Sequence, residues 1–167
     1  MDEAAKSFRR ALDASPDSVA ALLGLGDVAA RQESYREAER SYRRALALDA
    51  QSAEAANGLG LALGKQGQLE QARQYFQQAI SLRHDYAEAI NNLGVLYTQE
   101  SKPDDAIAAF EYGVREAPDE DILYLNLGRL YARLGRTEKA RLIMQQLLNR
   151  KPGNSIARHA LEELNGR

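Results

Sequence analysis

The chain of 167 residues contains no cysteine. Disulfides, iron–sulfur clusters, thiolate zinc sites and cysteine nucleophiles are therefore excluded. The two histidines, His84 and His159, stand apart in the sequence and make neither a catalytic triad nor a metal-ligating set. A glycine-rich phosphate loop is also missing. These absences argue against an enzyme, and we expect no catalytic residue, no cofactor and no metal site.

Long apolar runs are missing as well. No stretch of about 18 apolar residues occurs, so the sequence predicts no membrane span. The net charge is −2 and basic residues alternate with acidic ones, so we expect no nucleic-acid partner. The first residues lack the basic-then-apolar order of a signal peptide, which makes a cytoplasmic location the default. A periplasmic or secreted location follows instead if a signal peptide has been removed.

What the sequence does contain is a pattern that repeats every 34 residues. Leu-Gly pairs recur with this spacing, and so do a small alanine and, four residues after it, a bulky apolar side chain. The three series are Leu25-Gly26, Leu59-Gly60, Leu93-Gly94 and Leu127-Gly128; Ala4, Ala38, Ala72, Ala106 and Ala140; and Phe8, Tyr42, Phe76, Phe110 and Met144. Small residues at fixed positions predict pairs of helices that approach closely, with the bulky residues packed around each contact.

One unit, residues 87–120, illustrates the prediction for all of them. Its apolar spacing predicts a helix over 86–99, a turn at 100–102 and a second helix over 103–116. Pro103 suits the first turn of that second helix, where a missing N–H leaves no bond unmade. Gly67 and Gly135 occupy the same turn in two other units and predict positive φ angles there. Because neither helix can bury its apolar face alone, each unit requires neighbours.

This pattern resembles the tetratricopeptide repeat (TPR), which runs W-x2-L-G-x2-Y, then A-x3-F, then P within 34 residues. The tryptophan is replaced in each unit, by Leu22, Ala56, Ile90 and Tyr124. The resemblance covers essentially the whole chain. It implies an all-α fold, a right-handed α-solenoid of antiparallel helix pairs with about ten helices. We expect a single solenoid over residues 1–167, with full repeats at 19–52, 53–86, 87–120 and 121–154.

The two ends differ from the full repeats. Residues 1–18 hold only the second helix of a partial repeat, and residues 155–167 hold a first helix with no partner after it. Leu161 and Leu164 can cover the preceding helix while Arg158, Glu162 and Glu163 face water, which is typical of a capping helix. The uncovered helix at the start indicates a fragment of a larger protein, or weak self-association through the unpaired terminal helices.

The resemblance also implies where a partner binds, because in TPR proteins the first helix of each repeat lines the concave face that holds ligands. Mapped onto this sequence, the predicted peptide-binding residues are Asn57, Leu61, Asn91, Asn92, Val95, Leu125, Asn126, Arg129 and Arg133. An amide can both donate to and accept from the backbone of an extended peptide, and the apolar residues can take its side chains. Alternatively, Asn92 and Asn126 bond one helix of the array to the next.

Charge is distributed unevenly between the last two full repeats. Acidic residues predominate in 87–120 and basic residues in 121–154. Arg129 and Arg133 are four residues apart and lie on one face of a helix, where two guanidinium groups can hold a carboxylate or a phosphate. Alternatively, the two repeats neutralise each other. The clamp of lysine, arginine and asparagine with which chaperone-tail-binding TPR domains hold their ligand has no counterpart at the matching positions.

These observations predict a protein–protein interaction scaffold that binds a peptide or a partner segment in its concave groove. Two alternatives remain open at this point. The asparagines resemble the asparagine ladder of protein O-glycosyltransferases, so the chain could be the substrate-selecting arm of a larger enzyme. It could also be a structural or self-assembling spacer.

Overall fold

The computed structural model describes residues 2–166, and these residues form ten α-helices with no strand among them. In chain order the helices are α1 (Asp2–Ala14), α2 (Val19–Arg31), α3 (Tyr35–Leu48), α4 (Ala53–Lys65), α5 (Leu69–Leu82), α6 (Ala87–Gln99), α7 (Pro103–Glu116), α8 (Asp121–Arg133), α9 (Thr137–Arg150) and α10 (Ser155–Asn165). The predicted all-α solenoid class and the number of helices are confirmed. We call α2, α4, α6, α8 and α10 the first helices, and α1, α3, α5, α7 and α9 the second helices.

The chain divides into two compact units, Met1–Asn92 and Leu93–Arg167, and the division falls inside α6. In the first unit each helix from α1 to α4 packs on the next one, and the first helices α2 and α4 also touch each other. In the second unit α7 packs on α8, α8 on α9, and α9 on α10. Each unit is therefore built from helical hairpins that share their apolar faces. No helix within residues 2–166 is long and apolar enough to cross a membrane.

The Leu-Gly glycines lie against the bulky residue of their own repeat. A Cβ atom placed on Gly94 would come within 2.5 Å of the Phe110 ring, and one on Gly26 would meet the Tyr42 ring at the same distance. The Tyr42 ring also lies 2.5 Å from a Cβ placed on Gly58, in the next first helix. The predicted close approach is thus confirmed. A ring of the second helix fills the space beside Gly26, Gly60 and Gly94, and the Met144 side chain fills it beside Gly128.

The alanines of the second series are fully buried in the four full repeats, at Ala38, Ala72, Ala106 and Ala140. Ala4 is the exception. It is exposed in α1, because the partial repeat has no first helix in this sequence that could cover it.

Four turns between paired helices contain a residue with a positive φ angle. Gly67 and Gly135 have φ angles of 80° and 71°, as predicted. Glu33 and Ser101 occupy the same phase of the repeat, and both have a φ of 57°. These two side chains therefore adopt a left-handed conformation that strains any residue other than glycine.

Polar side chains begin three of the first helices. Ser18 and Ser52 accept hydrogen bonds from the backbone N–H groups of Ala21 and Ala55, at 3.3 and 3.1 Å. Asn154 accepts one from Ala157 at 2.9 Å and so starts α10. Such caps satisfy N–H groups that the helix itself leaves unpaired.

The last helix, α10, has the two faces that its sequence predicts. Leu164 is buried and Leu161 is half-buried, whereas Arg158, Glu162 and Glu163 are exposed. The helix packs on α9. It therefore covers the apolar face of the last second helix.

Candidate functional site

The first helices of the first compact unit enclose an open cavity of about 450 Å³. It is lined by Leu23, Asp27, Ala30, Arg31, Tyr42, Glu54, Asn57, Gly58, Leu61, Tyr86 and Glu88. We call this cavity the first-unit groove. Two of the predicted peptide-binding residues, Asn57 and Leu61, are among its lining residues.

Asn57 is only 3% exposed, and its amide forms hydrogen bonds with side chains of the first unit. Its Nδ2 donates to the Tyr86 hydroxyl at 3.5 Å, and its Oδ1 accepts from Asn92 Nδ2 at 3.0 Å. Asn92 therefore bonds one first helix to another, which is the alternative interpretation of this residue, and its partner is Asn57. A ligand role for either amide stays a prediction.

The rim of the first-unit groove is rich in carboxylates. Asp27 accepts a 2.7 Å hydrogen bond from the Tyr42 hydroxyl, and Glu54 forms a 2.8 Å ion pair with Arg83. The Arg83 guanidinium also lies 3.6 Å from the centre of the Tyr86 ring, a cation–π contact. These interactions hold the aromatic side chains of the groove in fixed positions.

The second compact unit has two adjacent cavities, which we together call the second-unit groove. The first, of about 240 Å³, is lined by Val95, Thr98, Gln99, Phe110, Asn126, Arg129, Leu130 and Arg133. The second, of about 220 Å³, is lined by Leu125, Gly128, Arg129, Ala132, Met144, Ile156, His159, Ala160, Glu163 and Leu164. Arg129 belongs to both.

Five of the predicted peptide-binding residues come together in the second-unit groove. They are Val95, Leu125, Asn126, Arg129 and Arg133. Asn91, half-buried on α6, lines neither groove as defined here. Most of the predicted peptide-binding residues therefore line one groove or the other. That these residues contact a ligand stays a prediction.

Ion pairs account for three other cations near the junction of the third and fourth repeats. Arg136 pairs with Asp104 at 3.4 Å, and Arg150 pairs with Asp119 at 3.0 Å. Lys151 pairs with Asp121, and this contact raises the pKa of the Lys151 ammonium group. Neutralisation between the two repeats therefore explains Arg136 and Arg150, whereas Lys151 is neutralised within the fourth repeat.

Arg129 and Arg133 are different. Both side chains are exposed in the second-unit groove, and neither forms an ion pair or a hydrogen bond within residues 2–166. Neutralisation between repeats does not explain this pair.

The sequence-based prediction missed the groove residues that come from second helices. Phe110 on α7 and Met144 on α9 reach the second-unit groove, and Tyr42 on α3 reaches the first-unit groove. All three belong to the bulky series that packs on the Leu-Gly glycines, which is the signal that could have found them. Ile156 on α10 was missed as well, and it is 53% exposed.

The titratable side chains near the grooves do not form a metal-binding cluster in the described part of the chain. Within residues 2–166 no cluster of three or more histidine, aspartate or glutamate side chains could hold a metal ion. His159 lies 3.5 Å from Glu163 on the same helix and is exposed to solvent. What the grooves offer is apolar surface beside charged and amide groups, which suits the recognition of another molecule.

Family comparisons match the repeat pattern along most of the sequence. Three models of the tetratricopeptide repeat family match residues 18–84, 57–121 and 97–164. The three matches overlap and leave no gap from residue 18 to residue 164. Among curated proteins, none matches the sequence significantly.

Solved structures with the same fold cover nearly the whole chain. MamA is 29% identical, with a TM-score of 0.77 over 90% of this chain and 88% of MamA. YrrB, described as a TPR protein with an unusual peptide-binding site, is 26% identical, with a TM-score of 0.69 over 96% of this chain and 83% of YrrB. A thermophilic TPR protein of Thermus thermophilus, TTC0263, has a TM-score of 0.77 at 21% identity over 99% of this chain and 91% of its own.

Proposed function

Because the chain belongs to the tetratricopeptide repeat family, whose members are protein–protein interaction scaffolds, we propose that it holds a peptide segment of a partner protein. The segment lies in one of the grooves that the first helices line. Members of this family generally act as scaffolds without catalysis of their own.

The observation that carries this proposal is the composition of the second-unit groove. Val95 is 36% exposed beside the Phe110 and Leu130 side chains, and the Arg129 and Arg133 guanidinium groups stand unpaired at the edge of this apolar surface. Apolar surface next to a few convergent polar groups is the usual composition of a binding site. The peptide-binding site described for YrrB, a protein of the same fold, supports the same function.

The experiment selects peptides from a random displayed library on the wild-type chain and then remeasures them on groove variants. Leu61→Lys places a charge in the first-unit groove, and Val95→Lys does the same in the second-unit groove. Each variant has a matched control that places the same charge on an exposed position of a second helix, Gln74→Lys for the first and Ala108→Lys for the second.

We expect at least one groove variant to weaken the selected peptides about tenfold, which corresponds to about 1.4 kcal/mol of binding free energy. Both control variants should bind as the wild type does. Selected peptides that bind all four variants equally well would place the binding surface elsewhere and refute the groove proposal.

A further inference from the structure

Arg129 and Arg133 form a pair of cations whose charge the protein itself leaves uncompensated. They lie four residues apart on α8, and such residues face the same side of a helix. Both line the 240 Å³ cavity of the second-unit groove. Neither guanidinium has an acidic partner among the residues that the structure describes.

The neighbouring cations show that a lack of acidic residues is not the reason. Arg136 and Arg150 each reach an aspartate of the preceding repeat, and Arg141 reaches Glu138 on its own helix. Lys139 lies 5.4 Å from the centre of the Tyr131 ring. The two arginines that line the 240 Å³ cavity thus differ from Arg136, Arg141 and Arg150 in having no carboxylate partner within residues 2–166.

The surroundings of the pair strengthen its attraction for an anion. Val95, Phe110 and Leu130 line the same cavity with apolar side chains, so the guanidinium groups have apolar neighbours as well as solvent. A lower local dielectric constant increases the interaction between opposite charges. Two adjacent guanidinium groups can also share the two oxygens of one carboxylate.

A second, apolar cavity opens on the other side of Arg129. Leu125, Met144 and Ile156 are among its apolar lining residues, and Ile156 is more than half exposed. His159 and Glu163 also line it, and the contact of Glu163 is with His159, not with Arg129. A chain that places an anion between Arg129 and Arg133 can therefore continue past Arg129 and bury a large apolar side chain. A peptide that ended at the arginines would leave this second cavity unfilled.

We propose that the second-unit groove selects an acidic segment of its partner protein. A glutamate or aspartate side chain of that segment binds between Arg129 and Arg133, and a neighbouring leucine, isoleucine or phenylalanine enters the cavity of Leu125 and Ile156. This inference rests on the proposed peptide-binding function and names the chemistry of the peptide that the second-unit groove takes.

The test uses a random-sequence peptide array with acetylated and amidated ends, probed with the labelled wild-type chain. We expect the bound sequences to be enriched in glutamate or aspartate beside a large apolar residue. For the strongest of them, replacing the acidic residue by glutamine should raise the dissociation constant about tenfold, the usual effect of removing one charge-assisted hydrogen bond. Raising the salt concentration should weaken binding in the same direction.

A double-mutant cycle assigns the effect to the arginine pair. Arg129→Gln/Arg133→Gln should weaken the acidic peptide about tenfold, and the glutamine peptide should then bind wild type and variant alike. Arg36→Gln/Arg40→Gln is the matched control, since these arginines are also four apart and exposed, on the second helix α3. It should leave the affinity unchanged, and circular dichroism should give both variants the helix content of the wild type.

Different failures have different meanings. Bound sequences without enrichment in acidic residues, whose binding still depends on Val95, would overturn this inference and leave the proposed function standing. If free C-terminal or phosphorylated peptides bound through the arginine pair and blocked acidic peptides did not, the carboxylate side chain would be the wrong anion. Peptides whose affinity is unchanged by every groove substitution would refute the proposed function together with the inference.

Discussion

The Tyr42 hydroxyl donates a 2.7 Å hydrogen bond to Oδ1 of Asp27. Tyr42 is buried on α3 and Asp27 is exposed on α2, so the bond joins the two helices of one repeat at the surface of the first-unit groove. Burial, and then the nearby Asp27 carboxylate, raises the pKa of the Tyr42 hydroxyl well above its usual range. The hydroxyl is therefore a fixed donor over the ordinary pH range.

We predict that Tyr42→Phe lowers the free energy of unfolding by about 1.5 kcal/mol, the lower end for a bond to a charged group, because exposed Asp27 regains water as a partner. Urea denaturation followed by circular dichroism measures the change. Tyr75→Phe is the control, since it removes a hydroxyl from a half-buried ring on α5. Equal losses in the two variants would show that the bond to Asp27 stabilises nothing.

The environment of Tyr131 leads to a prediction of how the free energy of unfolding depends on pH in the alkaline range. Its hydroxyl donates to the Glu111 carboxylate, and burial followed by this contact raises the pKa of Tyr131 to about 12. In the unfolded chain a tyrosine titrates near a pKa of about 10. The folded state thus holds the proton more tightly, and its contribution to stability is complete below about pH 10 and is lost as the pH rises toward 12.

The free energy of unfolding of the wild type should therefore fall between about pH 10 and pH 12. Tyr131→Phe should show a shallower fall, because it cannot release this proton, and Glu111→Gln should be intermediate. Urea denaturation at a series of alkaline pH values provides the comparison. Parallel curves for wild type and Tyr131→Phe would contradict the raised pKa.

The glycines of the Leu-Gly pairs should differ in their tolerance of alanine. A Cβ on Gly94 would lie 2.5 Å from Cε1 of the rigid Phe110 ring, whereas a Cβ on Gly128 would lie 2.3 Å from the terminal methyl of Met144. Met144 can move its methyl group by rotating about its side-chain bonds, and Phe110 cannot yield without moving the helix.

Overpacking costs about 1–3 kcal/mol, and alanine gains about 1 kcal/mol over glycine inside a helix. We therefore expect Gly94→Ala to be less stable than wild type and Gly128→Ala to equal or exceed it. Urea denaturation midpoints decide the order. The reverse order would mean that the ring adapts more easily than the methionine.

The left-handed turns predict two stabilising substitutions. Glu33→Gly and Ser101→Gly should each raise the free energy of unfolding by about 0.5 kcal/mol. The strain energy removed from the folded state exceeds the free energy by which the more flexible glycine stabilises the unfolded chain. Gly67→Ala should lower it by about 1 kcal/mol for the converse reason. Gly153 has no positive φ and no atom within 4 Å of an added Cβ, so Gly153→Ala is the control that should not destabilise. Thermal unfolding of the four variants tests the signs.

The positions of the helices were predictable because the sequence pattern repeats with a single period of 34 residues. The pattern predicted that first helices begin near residues 19, 53, 87, 121 and 155, and the structure begins them there. The strained turns at Glu33 and Ser101 were not predictable from their own residue types, since neither glutamate nor serine favours a left-handed conformation. Only their equivalence to Gly67 and Gly135 in the repeat identifies them.

The position of the candidate site was predictable from the sequence. Which of the nearby arginines form ion pairs was not. The repeat phase places Arg129 and Arg133 on the groove side of α8, yet the sequence alone does not distinguish them from Arg136 and Arg150. That distinction depends on which guanidinium groups can reach Asp104 and Asp119. The burial of Asn57 was likewise not predictable, because it depends on Tyr86 and Asn92 meeting its amide.

The Tyr42 ring, in contact with both Gly26 and Gly58, has a consequence for how such a chain can be recombined. Phe8 meets Gly24 in the same way that Tyr42 meets Gly58, so a ring on a second helix and a glycine on the next first helix fit each other as a matched pair. A segment cut at the start of a first helix would separate that pair. A cut at the start of the second helix α3 would instead separate Tyr42 from Gly26 of its own repeat. An exchange of segments at either boundary must therefore supply a new glycine for one side of this ring.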